Sequence, residues 1–522
     1  MTDYEAATAF IGEWGRFQQE VFFLLCMSII PNGFTSLSIV FLADTLPHRC
    51  LIPAHVNLTA AWRNSSIPLE ADSPSGTLVP SKCARYKLQD VLDFSDRGLL
   101  PGVDVNLSHV STEGCLDGWE YDRSVYNSTI ISEVWEKKHI IRYHCCPDSG
   151  HIPSGLLTIL GHVLRHLFHC WIGRNLQLCY CVCTRSRDFR PTCSDSLLYS
   201  SVSLFFAVGY MLLPLFAFFI RDWRMLSLGL ALPGFFCVPL WWYIPESPRW
   251  LLSQGRVEEA EAIIRNAAKR NKIEAPSVIF SPLQIELQSD QRKAYNICDL
   301  LRSPNIRWLS ITLWLVWNTV AIGYFALSLN TSNLHGNAFF NCFLSALVEI
   351  PAYTLSWVMF RWFSRRLSLS STLFMGGLFL LLIQLVPANQ IFLAITLEMM
   401  GKFAVTTAFA IVYAYTAELY PTVLRNTALG TCSMVSRVGS IIAPYFIYLR
   451  SYSVSLPYIL MGSLTALVGL LSLLLPETRG MPLPDTITHM QRFPGCCQKK
   501  PNTLTQVEEN ENPAERKSLV VQ

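Results

Sequence analysis

Long apolar runs separated by polar stretches dominate the chain. A helix that crosses a bilayer needs about 20 mostly apolar residues, because every backbone N–H and C=O in the hydrocarbon must be bonded within the chain. Nine runs reach that length: 21–43, 197–220, 223–244, 308–329, 338–360, 367–387, 390–414, 427–449 and 456–475. One such run would also suit a buried helix of a soluble enzyme. Nine in series predict an all-α multi-pass membrane protein embedded in a lipid bilayer. The first run carries Pro31, Asn32 and Gly33 at mid-span, a sequence that loosens a helix and frees backbone groups for polar contacts. Its flank holds Asp3, Glu5, Glu13 and Glu20 against Arg16, the wrong charge balance for a signal peptide, so it reads as a retained helix.

The polar stretches orient these spans. Asn57, Asn64, Asn106 and Asn127 each begin an N-glycosylation sequon in the first long loop, beside Cys50, Cys83 and Cys115. Glycans are added in the lumen and disulfides persist in oxidising compartments, so this loop is expected outside. The stretch 245–306 has no sequon and carries Arg249, Arg256, Arg265, Lys269, Arg270, Lys272, Arg292, Lys293 and Arg302, which places it in the cytoplasm. Within it Val257–Ala268 reads as an amphipathic helix with Val257, Ala260, Ile263, Ile264 and Ala267 on one side. Later spans alternate consistently: Asn330-Thr-Ser falls outside, whereas Arg361, Arg365, Arg366 and the tail after Pro476 fall inside.

The expected layout has five parts. Residues 1–20 form a cytoplasmic N-terminus. Residues 21–244 form an N-terminal bundle that contains the glycosylated loop 44–132 and a segment, 133–200, that departs from the pattern. A cytoplasmic loop spans 245–306, a C-terminal six-helix bundle 307–476, and a cytoplasmic tail 477–522. Hydrophobic residues make up 51% of the 522 and charged ones only 15%, below the quarter usual in soluble proteins, which agrees with a lipid-embedded chain. A net charge of +3 gives no footprint for nucleic acid. Nothing in the sequence sets the oligomeric state.

Short motifs carry a resemblance. Pro245-Glu-Ser-Pro-Arg-Trp250 and Pro476-Glu-Thr-Arg479 end the two halves alike, and Arg361–Arg366 resembles a basic loop motif of the major facilitator superfamily. Ile11-Gly-Glu-Trp-Gly, Ser28-Ile-Ile-Pro-Asn-Gly-Phe34, Cys115-Leu-Asp-Gly-Trp-Glu120, Asn333-Leu-His-Gly336 and Ala417-Glu-Leu-Tyr-Pro-Thr422 resemble the organic cation/carnitine branch of solute carrier family 22. The resemblance covers residues 1 to about 132 and about 201 to 490. It implies a fold of two pseudo-symmetric helix bundles, the N-terminal one incomplete here. It also implies secondary active uptake, at the plasma membrane, of small organic cations or zwitterions such as carnitine, ergothioneine or tetraethylammonium, with Na+ as the coupling ion in some members.

Charges within a span are costly and mark cavities or partners. Glu349, Glu398, Lys402 and Arg437 stand out. Glu398 and Lys402 are i, i+4 on one helix, near enough to satisfy each other. Lys402, Thr406, Phe409 and Tyr413 form a polar and aromatic stripe suited to a cavity wall. Arg437 has no acidic residue one turn away on its own helix. Its partner is either a substrate carboxylate, bound through two parallel hydrogen bonds, or an interhelical bridge, for example to Glu349. A trimethylammonium group has no donors and needs aromatic faces, for which Trp314, Trp317, Tyr324, Tyr353 and Tyr413 are candidates. The resemblance adds Asn32 as a polar site and Glu418, beside Tyr420, as an ion-coupling site. No Walker A, GxSxG, HExxH or dinucleotide fingerprint is present, which argues against an ATP-driven pump or an enzyme; nine spans argue against a seven-span receptor. The Cys145–Cys193 run fits no zinc spacing, so no metal is expected.

Between 133 and 200 the resemblance stops. Six of the 11 His and seven of the 17 Cys fall between His139 and Cys193, and 156–183 is the only candidate crossing, interrupted by His162, Arg165, His166, His169 and Arg174. The break resembles a frame-shifted or skipped-exon reading. It raises an alternative in which the chain is a non-transporting or regulatory isoform.

Overall fold

The computed structural model describes residues 8–137, 194–280 and 297–479, apart from 72–77 and scattered single or paired positions. The expectations for 156–183, for the Cys145–Cys193 run and for most of the tail lie outside the described residues. The first span is the helix α1 (Arg16–Ser36), which contains Pro31 and continues after a two-residue turn as Ile39–Leu42. The loosening falls not at the proline but just beyond it. There the hydroxyls of Thr35 and Ser36 bond back to the carbonyls of Pro31 and Asn32, and Ser38 to that of Thr35, competing with the backbone ladder.

α2 (Ser194–Phe219) and α3 (Trp223–Phe235) complete the described part of the first half. α4 (Val257–Asn271) is the expected amphipathic helix; it buries Ala260, Ile264, Ala267 and Ala268 and ends on Lys272 in the left-handed conformation typical of a helix C-cap. The second half comprises α5 (Pro304–Leu329), α6 (Ala338–Leu347), α7 (Glu349–Trp362), α8 (Arg365–Leu382), α9 (Ile391–Leu419), α10 (Thr422–Tyr448) and α11 (Leu456–Leu471).

Among the described residues seven helices are long and apolar enough to span a membrane, not nine. The expected span 223–244 is broken: α3 ends at Phe235 after Pro233, and only a short turn, Leu240–Tyr243, follows Pro239. Proline removes an N–H and clashes with the preceding turn, which ends regular helix here. All but the last residue of the run 427–449 lies in the 27-residue α10, long enough to cross, but Arg425, Asn426, Ser433, Ser436, Arg437 and Ser440 dilute the apolar content of that helix.

The first loop folds as a small domain. β1 (His48–Cys50) pairs antiparallel with β6 (Trp119–Tyr121), and two further pairs join β2 (Leu69–Ala71) to β3 (Leu78–Pro80) and β4 (Ala84–Tyr86) to β5 (Thr112–Gly114). A Cys50–Cys115 disulfide closes a 65-residue separation. Arg85, buried, bridges Glu113 at 2.9 Å and Asp117 at 2.6 Å and donates to the Leu51 carbonyl. Asn57, Asn64, Asn106 and Asn127 are all exposed. The domain rests on the α2–α3 turn, where Ser128 donates to Asp222 at 2.7 Å and Arg224 pairs with Glu133 at 2.6 Å. The Ser128 hydroxyl holds the Asp222 carboxyl below its ordinary range, helped by the N–H groups of Met225 and Arg224.

Two close helix contacts set the bundle geometry. Gly33 of α1 faces Gly209 of α2 so tightly that a Cβ on Gly33 would lie 2.3 Å from the Phe206 carbonyl oxygen. Gly377 of α8 does the same against Gly462 of α11, at 2.6 Å. Small residues let backbones approach where no water drives association. In the second half α5 packs on α9 and α10, and α8 on α9 and α11, around Leu313, Val316, Trp317, Val320, Val405, Ala408 and Val412. α2 of the first half lies against α6 and α7.

Candidate functional site

The break between α6 and α7 positions the site. Val348 is a turn residue and Pro351 follows two positions after Glu349, so the helix restarts at Glu349 with its carboxylate at a helix N-terminus. Glu349 is 0% and Lys402 of α9 1% exposed, and the Lys402 ammonium lies 3.3 Å from the Glu349 carboxylate. Tyr324 of α5 donates to Glu349 at 2.8 Å and Tyr353 of α7 at 3.4 Å. The Lys402 ammonium also donates to Ser345 of α6 and lies over the ring of Tyr210 of α2, 4.6 Å from its centroid, and 5.5 Å from that of Tyr324. Tyr210 donates to Ser345 at 3.3 Å. The cluster therefore draws on five helices and both halves of the chain.

The expected Glu398–Lys402 pair is not formed. Glu398 accepts from Asn330 at 2.8 Å and from Tyr458 of α11 at 2.9 Å, while Lys402 turns to Glu349. The i, i+4 spacing permits a pair but does not compel one, and neutral donors on two other elements satisfy Glu398 instead. Asn330, which begins a sequon, is 7% exposed and donates to both Glu398 and Tyr458, so its amide is structural. The bridge from Arg437 to Glu349 is likewise not formed, since Lys402 holds that carboxylate.

An aromatic row leads from this cluster toward Arg437. Phe409 stacks on Tyr324 with centroids 5.6 Å apart and meets Tyr413 at 5.4 Å, and Trp317 lies edge-on to Tyr413 at 4.2 Å. Trp317 is fixed by its indole N–H, which donates to Thr416 at 3.0 Å. Tyr413 is within electrostatic reach of the half-buried Arg437 guanidinium. The stripe Lys402, Thr406, Phe409 and Tyr413 thus faces protein rather than lipid: Lys402 and Thr406 are buried, and Phe409 and Tyr413 pack against the core. Trp314, expected with them, is also packed on that core.

Two expected residues lie elsewhere. Asn32 is half-buried in α1, its carbonyl accepting from Ser36. Glu418 closes a network at the far end of α9, where Arg365 pairs with it at 3.2 Å and Thr478 donates to it at 2.5 Å. Glu477 belongs to the same end. Burial pushes its carboxyl up, but the Ser364 hydroxyl and the N–H groups of Arg479, Arg365 and Arg366 outweigh that and hold it below the ordinary glutamate value. Tyr210, Ser345, Asn330 and Tyr458 were not among the expected site residues: a tyrosine or serine in an apolar run carries no signal until its neighbour across the helices is known. Among the described residues no group of three or more His, Cys, Asp or Glu is arranged to hold a metal ion.

Comparisons with known proteins fit this arrangement. A family model described as sugar (and other) transporter matches residues 197–488. Organic cation/carnitine transporter 2 of Mus musculus is 46% identical over 558 positions, covering 99% of this chain and 100% of that one. Its counterpart from Homo sapiens is 47% identical over 551 positions, covering 97% of each. The organic cation transporter protein of Drosophila melanogaster is 33% identical over 539 positions, covering 94% and 95%. The 558-position match exceeds the 522 residues of this chain, so that relative has stretches without a counterpart here. Coverage from end to end nonetheless does not favour the non-transporting alternative raised by residues 133–200. With helices long and apolar enough for a multi-pass membrane protein, and with the matched motifs in both halves, the chain belongs to the organic cation/carnitine transporter branch of solute carrier family 22, within the major facilitator superfamily.

Proposed function

We propose that this chain carries small organic cations and zwitterions of the carnitine, ergothioneine and tetraethylammonium class across the plasma membrane by secondary active transport. The observation that carries the reading is the buried Glu349–Lys402 pair, ringed by Tyr210, Tyr324 and Tyr353 and joined by Phe409, Tyr413 and Trp317 to Arg437. A quaternary ammonium is held by aromatic faces and a carboxylate, and a guanidinium at the other end of the row takes a substrate carboxylate bidentately.

Sodium is the proposed coupling ion, on the strength of the family resemblance. Glu418 accepts it only when the Arg365 bridge opens, so coupling at that residue requires movement of α8 against α9. The test is uptake of radiolabelled carnitine, ergothioneine and tetraethylammonium into cells expressing the chain, with sodium and with an impermeant replacement. Saturable uptake of at least one compound supports the reading, and uptake no higher than in mock-transfected cells at confirmed surface expression contradicts it.

A further inference from the structure

The Lys402 ammonium sits where a cationic ligand would. Its surroundings are a carboxylate 3.3 Å away, the faces of Tyr210 at 4.6 Å and Tyr324 at 5.5 Å, and the Ser345 hydroxyl. Carboxylate plus aromatic faces is the chemistry that recognises an organic ammonium. Every one of these groups is buried. A primary ammonium and a substrate ammonium cannot both lie against Glu349, because two unshielded like charges at contact in a low-dielectric interior repel strongly.

The chain also holds a second place for the lysine. Glu398 lies one turn earlier on α9, within electrostatic reach of Lys402, and its carboxylate is held by two neutral donors, Asn330 and Tyr458. A lysine side chain has four rotatable carbons, enough to swing its charge along one turn of its own helix. Moving from Glu349 to Glu398 exchanges one carboxylate partner for another.

We infer that Lys402 is a tethered cation that fills the Glu349–Tyr210–Tyr324 subsite when substrate is absent, and that an organic ammonium binds by displacing it toward Glu398. The inference rests on the transport reading and deepens it by naming the cation subsite and its built-in competitor. It makes Glu398 a positioning residue rather than a ligand. It also links occupancy to the contact between the halves, because the seated lysine lies against Tyr210 of α2, which itself donates to Ser345 of α6. An internal competitor lowers the apparent affinity in proportion to the fraction of time the subsite is open, so its removal should raise that affinity.

The test is direct binding of radiolabelled tetraethylammonium to the purified full-length chain, with thermal stability in detergent measured in parallel. Six proteins are compared: wild type, Lys402→Ala, Glu398→Gln, Glu349→Gln and the double variants Lys402→Ala/Glu398→Gln and Lys402→Ala/Glu349→Gln. Lys402→Ala should bind tetraethylammonium about tenfold or more tighter than wild type, and the ligand should restore much of the stability that the substitution removes, because an added cation replaces the missing one. Glu398→Gln should weaken binding, since the displaced lysine loses its second carboxylate, and the double variant Lys402→Ala/Glu398→Gln should regain the tight binding of Lys402→Ala. Glu349→Gln should bind weakly with or without Lys402. Binding in wild type with no gain in Lys402→Ala overturns the inference and leaves the transport reading standing. No binding of tetraethylammonium in either overturns the inference, and the transport reading is then decided by the uptake of carnitine and ergothioneine. Equal loss in Lys402→Ala and Glu349→Gln overturns it in favour of Lys402 as a plain structural counter-ion.

Discussion

Replacing Glu349 by Gln isolates the charge of the central pair. Glutamine keeps the size of the side chain and an acceptor for the hydroxyls of Tyr324 and Tyr353, so what disappears is the counter-charge of Lys402. At the 3.3 Å separation and an effective dielectric near 20, the lost attraction is about 5 kcal/mol. Breaking a buried pair from one side costs about 3–5 kcal/mol by mutational experience, because the remaining ion stays in a medium that solvates it poorly. Both figures are large beside the total stability of a folded protein. The assay is the midpoint of thermal unfolding of purified protein in detergent for wild type, Glu349→Gln, Lys402→Met and the double variant. The single variants should melt well below wild type, and the double variant should recover most of the loss, since no charge is then left unpaired. A double variant as unstable as the sum of the two singles would refute the reasoning, as would a Glu349→Gln protein that melts with wild type.

Further outcomes follow from other parts of the molecule. Arg437→Ala should weaken carnitine by about 2–5 kcal/mol while leaving tetraethylammonium nearly unchanged, since only a carboxylate uses the guanidinium; competition binding with both compounds checks this. Asn57 and Asn64 should carry glycans, seen as a mobility shift on glycosidase treatment, and a tag inserted near Lys272 should stain only in permeabilised cells. The Glu477 carboxyl is held below its ordinary value, so its stabilising contacts with Ser364 and the Arg365 and Arg366 N–H groups are present above pH 4.5 and are lost as pH falls further. Glu477→Gln should remove that share of the acid sensitivity of unfolding, measured as melting midpoint against pH. Gly33→Leu should abolish stable expression, because the added side chain meets the Phe206 carbonyl with no flexible neighbour to yield.

The sequence made most spans legible for a simple reason: a lipid core demands apolar residues in unbroken runs, and seven of the described helices obey. The span at 223–244 misled because Pro233 and Pro239 sit among apolar residues that raise hydropathy while ending the helix. Charged residues in spans were readable as a set, since each is costly enough to need a reason. Their partners were not. Lys402 had Glu398 at helical spacing and Glu349 on another helix, and only packing brings the second to 3.3 Å and gives the first to Asn330 and Tyr458. Asn330 shows the same limit from the other side: a sequon in sequence, a buried donor in the fold. Tyr210 is the clearest loss, for nothing in an apolar run marks which tyrosine will face a lysine 192 positions away.

The central claim, that this chain moves organic cations and zwitterions through the site around Glu349, Lys402 and Arg437, is tested most directly in proteoliposomes. The purified full-length chain is reconstituted, preloaded with unlabelled carnitine, and assayed for exchange with external radiolabelled carnitine and tetraethylammonium beside the Glu349→Gln protein. The account predicts saturable accumulation by the wild-type chain, competed by either compound, and loss of tetraethylammonium exchange in the variant. Accumulation no greater than in protein-free liposomes, or full activity in Glu349→Gln, would contradict it.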